Sequence, residues 1–401
     1  MSGSAPEAET GSVSLMTILG CWGRIGCLGF GGPPAHLALL RRLCVDDRGW
    51  LSPQDFEDGI AATSLLPGPA STQMAIWCAW RLRRAVGAVV GGLAFIVPGL
   101  VIILGLSALF LASRPPRWVL GAAAGAGAAV AAVAINAAMG LLPASWSRAR
   151  QVPGPATAVR WVAYLLAGGI AAGLAGSWLV LVLLVCGLLE LALRYRPPPV
   201  PPGRLQGLGA PLLAAPAAAA VATGGLAALV WVAFKVGALS FGGGFVIIPL
   251  MQHDAVNHYH WMTSAQFLNA VALGQITPGP VVLTTAVIGY AAAGVGGGLL
   301  AVLVAFSPSF GFVIGGGRYF DRVRTSRTAQ AFLAGAGPAA IGAIAGAAVP
   351  LAAALHHLWQ GGVLAAAAVW LLALRRSVPL CLLAAALIGV AAALLGAPVA
   401  R

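Results

Sequence analysis

Runs of about 20 apolar residues, rich in Ala and Leu, succeed one another along the chain, with short polar, Arg-bearing connections between them. Each run is long enough to cross a bilayer of roughly 30 Å. The runs do not alternate at period two, which argues against a barrel. In the first half the pattern predicts a span over 12–29, a polar connection over 36–50, two short apolar pieces over 52–66 and 70–80, and spans over 86–112, 118–142, 160–176 and 178–195. The stretch 194–204, RYRPPPVPPGR, then breaks the helical pattern, because consecutive prolines favour an extended segment. Beyond it the plan returns: a span over 211–240, a polar connection over 252–261, two short pieces meeting at Pro278-Gly279-Pro280, and spans over 296–317, 330–352, 357–374 and 377–396. The expectation is an all-α polytopic membrane protein of two repeats, 1–195 and 210–401, joined by a Pro-rich cytoplasmic linker at 196–209.

The repetition extends to single residues. Gly26, Leu28, Phe30-Gly31-Gly32, Trp50, Phe56 and Pro67-Gly68-Pro69 recur without a gap, 211 residues on, as Gly237, Leu239, Phe241-Gly242-Gly243, Trp261, Phe267 and Pro278-Gly279-Pro280. Thirteen of those 44 positions are identical. The copies differ beside the first motif, where Pro33-Pro34 stands against Gly244-Phe245. A repeated helix-breaking element inside an apolar chain is a mark of transporters built from two halves.

Charge orients the halves. Arg41, Arg42 and Arg48 precede the first pair of short pieces, and Arg81, Arg83 and Arg84 follow it. The positive-inside rule then puts both ends in the cytoplasm, which suits a re-entrant hairpin better than one bent span. With hairpins not counted as crossings, each half has five spans, so the second is inverted relative to the first. Its connection over 252–261 should face outward, and it indeed lacks Lys and Arg, holding His253, Asp254, His258 and His260. Arginines return at Arg318, Arg322, Arg324, Arg327, Arg375 and Arg376, all cytoplasmic in this count. The expected location is the inner (plasma) membrane, crossed many times.

The Pro-Gly-Pro breaks carry the candidate chemistry. The first Pro ends a helix, the Gly permits the turn, and the second Pro opens a new helix whose free N–H groups and positive dipole end favour an anion. Around the breaks cluster Thr63, Ser64, Ser71, Thr72 and Gln73, and Gln275, Thr277, Thr284 and Thr285. The candidate substrate-binding set is therefore Gly68, Pro69, Ser71, Thr72, Gln73, Gln275, Thr277, Gly279 and Pro280. Bare amides at Gly31, Gly32, Gly242 and Gly243 join it as an anion-binding concavity, although a close helix crossing would select the same glycines. Arg24 and Lys235, at equivalent repeat positions near helix ends, add positive charge; snorkelling to the interface is the alternative. Asp55 and Asp58 share a helix face and are candidates for proton coupling, against the plainer reading of a solvated helix start. Glu190 is expected to pair with Arg194, four residues on.

Composition narrows the classes further. The chain of 401 residues is 60% hydrophobic and 8% charged, far below the roughly 25% charged residues of soluble domains. Its net charge of +13 comes from scattered loop arginines and one lysine, which excludes a nucleic-acid-binding domain. Six cysteines show no metal or disulfide spacing, and the three loop histidines match no helical ligand pair. The first 12 residues carry no basic n-region, so no cleavable signal is expected. No Walker-type P-loop occurs, so a gradient is expected to drive transport. An intramembrane enzyme would need carboxylate pairs or nucleophile–base pairs that the spans lack; a passive anion channel would use the same helix ends as a transporter.

Phe-Gly-Gly followed by Trp and Pro-Gly-Pro, present in both halves, resembles the chromate ion transporter family of the two-domain, long-chain type. The resemblance spans essentially the whole chain. It implies secondary active movement of chromate, with sulfate as a similar oxyanion, usually outward to give chromate resistance. The partners expected are a small inorganic oxyanion and the lipid bilayer, with homodimerisation left open. No cofactor and no metal are implied.

Overall fold

Local chemistry starts and stops the helices where the repeat requires it. Helix α1 (Leu15–Leu28) opens at Ser14, whose hydroxyl accepts the Thr17 N–H, and closes at Gly29. Helix α2 (Pro33–Arg41) begins on two prolines, which suit a first turn, and runs into a π-helical turn, Arg42–Asp47. Helices α3 (Pro53–Thr63) and α4 (Ala70–Phe110) flank the first Pro-Gly-Pro, followed by α5 (Arg117–Arg150), α6 (Thr157–Leu174) and α7 (Leu179–Arg194). The second half has α8 (Leu226–Leu239), a 3₁₀ turn (Phe245–Ile247), α9 (Ile248–Gln252), a π-helical turn (His253–His258) and α10 (Ser264–Ile276). After a 3₁₀ turn (Val281–Leu283) come α11 (Thr284–Gly316), α12 (Arg327–Gly346), α13 (Ala348–Ala353), α14 (Leu358–Ala368, extended by a π turn, Val369–Ala373) and α15 (Val378–Leu394).

These elements come from a computed structural model that describes residues 13–30, 32–63, 66, 68–112, 114–150, 156–174, 179–194, 225–240, 244–316 and 326–399. Gly31, Ser64, Pro67, Phe241, Gly242, Gly243, Arg318, Arg322, Arg324 and the 196–209 linker lie outside the described residues. Among the described residues every regular element is helical.

The duplication is structural as well as sequential. Helix α8 starts and ends 211 residues after α1, and the two π turns keep the same offset. Further along, by Pro98 of α4, the offset has become 210, and that proline matches Pro308 inside α11. One expectation needs correction. The segment over 36–50, expected as a polar connection, is α2 and its π turn: His36 and Leu40 are fully buried, while Arg41, Arg42 and Arg48 are exposed. The span expected over 211–240 is seen from Leu226 onward.

Helices α4 and α11 are each folded back on themselves. In α4 the helix breaks at Arg83 and Arg84, the latter at φ +50°. A Cβ on Gly87 would strike the Ala79 carbonyl, and one on Gly91 the Ala79 side chain. Residues eight apart in a straight helix lie about 12 Å apart, so the chain has reversed: a short arm over 70–82 lies along a long arm over 85–110. In α11 the break falls at Ala293 and Gly294, with Gly294 at φ +63°, and Gly289 meets Gly297 backbone to backbone. The short arms also fold back on the helices before them. Gly59 of α3 faces Trp77, and Gly274 of α10 faces Thr284. Each Pro-Gly-Pro is thus the tip of a helical hairpin.

Helices α1 and α8 lie on α4 and α11, and α4 and α11 pack against each other at the centre. The outer helices are exchanged: α5 of the first half packs against α14 and α15 of the second, and α12 of the second against α6 and α7 of the first. Small residues permit this closeness. Gly121 and Gly125 abut Gly389, and Gly342 and Gly346 abut the backbone over 165–169. Among the described residues, four helices are long and apolar enough to cross a membrane. Large apolar side chains such as Leu181, Leu188, Leu383 and Leu387 cover the outside of the shorter ones, as a lipid-facing surface requires.

Candidate functional site

Both Pro-Gly-Pro tips reach the middle of the helical assembly and rest on the opposite half. Gly68, at φ +128°, lies against Gln73 of its own hairpin, and a Cβ built on it would stand 3.2 Å from Ser309 Oγ of α11. Gly279, at φ +105°, donates its N–H to the Gly29 carbonyl at the end of α1, 3.0 Å away. Beside it, the Pro278 carbonyl fills the place that a Cβ on Gly99 of α4 would take. Ser309 and Gly99 are repeat counterparts at the 210 offset, so the two tips are seated equivalently on the two central helices. The positive φ values at both tips are open to glycine at little cost.

The helix starting at each tip has no side-chain cap: Pro69 and Pro280 are the capping residues and neither offers a hydrogen-bonding side chain. First-turn N–H groups therefore face the tip region with their dipole uncompensated. Ser71, Thr72 and Gln73 follow Pro69 and are buried, as are Gln275 and Thr277 before the second tip.

The hydroxyls divide into two kinds. Those of Thr277, Thr284 and Thr285 donate to the carbonyls of Leu273, Val281 and Val282 in their own helices, at 2.7–2.8 Å. Their hydrogens are committed. Thr72 Oγ1, Ser240 Oγ, Gln275 Nε2 and Ser309 Oγ are buried with no hydrogen-bond partner among the described residues. Thr72 and Ser309 stand at the first tip. Ser240 approaches Gly244, which itself packs on Val281 and Val282 after the second tip. Each is a donor, and a buried donor without an acceptor costs about 1–3 kcal/mol.

His36 joins the two tips. Its ring is fully buried, edge-on to Phe95 with centroids 5.0 Å apart. Nε2 lies 2.9 Å from the Gly29 carbonyl, the same oxygen that accepts the Gly279 N–H, and Nδ1 lies 3.3 Å from Ser71 Oγ. A carbonyl only accepts, so Nε2 carries the hydrogen, and in the neutral ring Nδ1 accepts from Ser71.

The candidate charges lie differently. Arg24 is exposed, with no ion-pair partner among the described residues. Lys235 is engaged: its ammonium donates to Asp254 Oδ2 at 2.6 Å and lies 5.8 Å from the Trp231 ring centre. The two repeat positions thus hold the same charge in unlike surroundings. Asp55 accepts from Ser52 (2.7 Å) and Arg81 (3.1 Å), and these bonds, Ser52 first, hold its carboxyl below the usual carboxylate range. Asp58 accepts from Gln54 at 3.1 Å. Both acids lie at the open end of the first hairpin, away from its tip. Glu190 does pair with Arg194 (2.6 Å), and it also accepts from Arg160 and Tyr164 of α6 (3.1 and 3.0 Å), tying α7 to α6.

Sequence reading did not place His36, Ser240 or Ser309 near the tips, and it read Asp254 as part of an outward connection, not as the partner of Lys235. Their repeat counterparts are Ile247, Gly29, Gly99 and Leu43, so none of them stands out as a repeated residue. A search for polar residues that interrupt the repeat would have found all four.

A family model described as chromate transporter matches residues 16–191 and 227–390. The chain is 33% identical over 331 residues to the chromate transport protein of Cupriavidus metallidurans, a match covering 82% of this chain and 80% of that one. It is 32% identical over 374 residues to a probable chromate transport protein of Synechococcus elongatus, covering 92% and 93%. It is 31% identical over 345 residues to a chromate transport protein of Pseudomonas aeruginosa, covering 82% and 79%. No solved structure matches the chain.

Proposed function

The chain belongs to the chromate transporter family, and from that premise we propose that it is a secondary active transporter moving chromate, and sulfate as a like-shaped oxyanion, across the cytoplasmic membrane. Outward movement conferring chromate resistance is the direction we assign. The observation that carries the reading is the set of buried, unpartnered donors at Thr72, Ser240, Gln275 and Ser309 around two uncapped helix starts. A tetrahedral dianion offers acceptor lone pairs on four oxygens, and such a ligand would relieve several donors at once. Uncapped helix N-termini favour the same sign of charge. The site would act by oriented dipoles: Lys235 is held by Asp254, and Arg24 would act at longer range, on the approaching ion.

The seating of the tips supports alternating access. Each hairpin tip rests on the other half, so rocking the halves would loosen one seat while the other holds. The long arms of α4 and α11 run antiparallel, with Gly92 against Phe310 and Gly298 against Leu104, which supports an inverted pair of repeats. The test is purified protein in liposomes given labelled chromate. Uptake should be accelerated by unlabelled chromate or sulfate on the far side. Flux that only follows voltage, without such exchange, would make the protein a channel; no oxyanion flux under any gradient would defeat the reading.

A further inference from the structure

We propose that His36 is a proton-binding site whose occupancy redirects the Ser71 hydroxyl, so that one proton is taken up with each oxyanion bound. The proposal rests on the oxyanion reading above and assigns its coupling. In the unprotonated state Nε2–H is held by the Gly29 carbonyl, and Nδ1 accepts the Ser71 O–H. The Ser71 hydrogen is then unavailable to a ligand at the first tip. A proton arriving on Nδ1 turns that nitrogen into a donor. Ser71 Oγ becomes the acceptor, and its own hydrogen swings free to point at the ligand. No covalent bond between heavy atoms changes. The proton comes from water when the oxyanion binds and returns to water when it leaves.

Electrostatics gives the switch its linkage. Three elements close on the ring: the end of α1 at Gly29, the short arm of α4 at Ser71 and the long arm at Phe95. The long arm carries no titratable residue. On α1, Arg24 and Cys27 are exposed. On the short arm, Cys78 faces Cys44, and Arg81 is held by Asp55. On α2, Arg41 reaches Glu57, and on the π turn after it Arg42 reaches Asp47 while Asp46 is exposed. Pro278 to Leu283, at the second tip, carry no charge. No acid is therefore at hand to balance an imidazolium in this buried place, and an unbalanced buried charge is strongly disfavoured. A dianion at the tip supplies the balance. By reciprocity the proton then favours the dianion to the same degree. The device exists once: Ile247 and Val282, both buried, occupy the counterparts of His36 and Ser71.

The test counts protons. Detergent-purified protein in weak buffer at about pH 8, roughly 1.5 units above the ordinary histidine value, receives chromate, which carries no proton there. Wild type should take up about one proton per chromate bound, and its chromate affinity should fall about tenfold per pH unit in this range, as linkage requires. His36→Gln can still donate to Gly29 but cannot titrate, so it should bind chromate without proton uptake and with a flat pH profile. If that variant does not fold, His36→Asn serves: it too cannot titrate, and should bind chromate without proton uptake. Chromate binding by wild type with no proton uptake, or full uptake retained in either variant, overturns the proposal while leaving the transport reading intact. Absence of chromate binding by wild type would instead remove the oxyanion reading, and this proposal with it.

Discussion

Replacing Thr72 by valine should move stability and binding in opposite directions. Thr72 is fully buried, and its hydroxyl has no partner among the described residues. Valine has nearly the same volume, so no cavity opens. Removing an unmatched buried hydroxyl relieves its desolvation penalty, about 1–3 kcal/mol, and the melting temperature of the ligand-free protein should rise. If the same hydroxyl donates to a bound oxyanion, that charge-assisted bond is lost, at about 1.5–3 kcal/mol. Dissociation constants should then rise roughly 10- to 150-fold. Thr284→Val is the matched control. Its hydroxyl already donates to the Val281 carbonyl at 2.8 Å, so its loss should cost about 1 kcal/mol of stability and leave chromate affinity within about twofold. Thermal unfolding in detergent and equilibrium chromate binding read both effects. A Thr72→Val protein that is destabilised, or that binds chromate as wild type does, would refute the assignment of unmatched donors to the ligand.

Other substitutions probe the frame around the site. Gly99→Val should collide with the Pro278 carbonyl, costing about 1–3 kcal/mol by overpacking and abolishing chromate flux in liposomes, whereas Gly105→Ala, with open space around it, should be neutral or stabilising by up to about 1 kcal/mol. Lys235→Gln should destabilise by about 3–5 kcal/mol because buried Asp254 then keeps only His253, 3.7 Å away; adding Asp254→Asn should restore most of the melting temperature, and no rescue would mean that the pair is not the cause. Single cysteines at positions 258 and 376, both exposed, should react with an impermeant thiol reagent from opposite sides of the membrane; labelling of both from one side would break the inverted arrangement.

Much of the architecture was legible because helix breaking is local chemistry. Pro67-Gly68-Pro69 and Pro278-Gly279-Pro280 mark the hairpin tips, and the apolar runs mark the long helices within a few residues. The turns at Arg83-Arg84 and Ala293-Gly294 were legible as the interruptions before the spans from 86 and 296, although they share no residue type and the offset has already slipped from 211 to 210 before them. The exchanged packing of α5 and α12 left no local trace, because it depends on contacts between residues far apart in the chain. The site was read only in part for a different reason. Identity between the copies points to what both halves need in order to bend and pack, such as Gly26 and Gly237 at helix crossings. What makes the centre polar lies where the copies disagree: His36 against Ile247, Ser71 against Val282, Ser240 against Gly29, Ser309 against Gly99. A repeat-based reading passes over such positions by construction.

The exchange of outer helices between the halves has a consequence for how the protein is made. Helix α5, complete at Arg150, finds its main neighbour in α15, which ends at Leu394. At a synthesis rate of about 5–20 residues per second, roughly 240 residues and some 12–50 s separate the two. Throughout that interval the glycine face at Gly121 and Gly125 has no partner in its own half and waits in the bilayer for the last helix. The newly made first half is therefore a client for whatever shields unfinished helices in the membrane, and a ribosome stalled before Val378 would release a chain that cannot close.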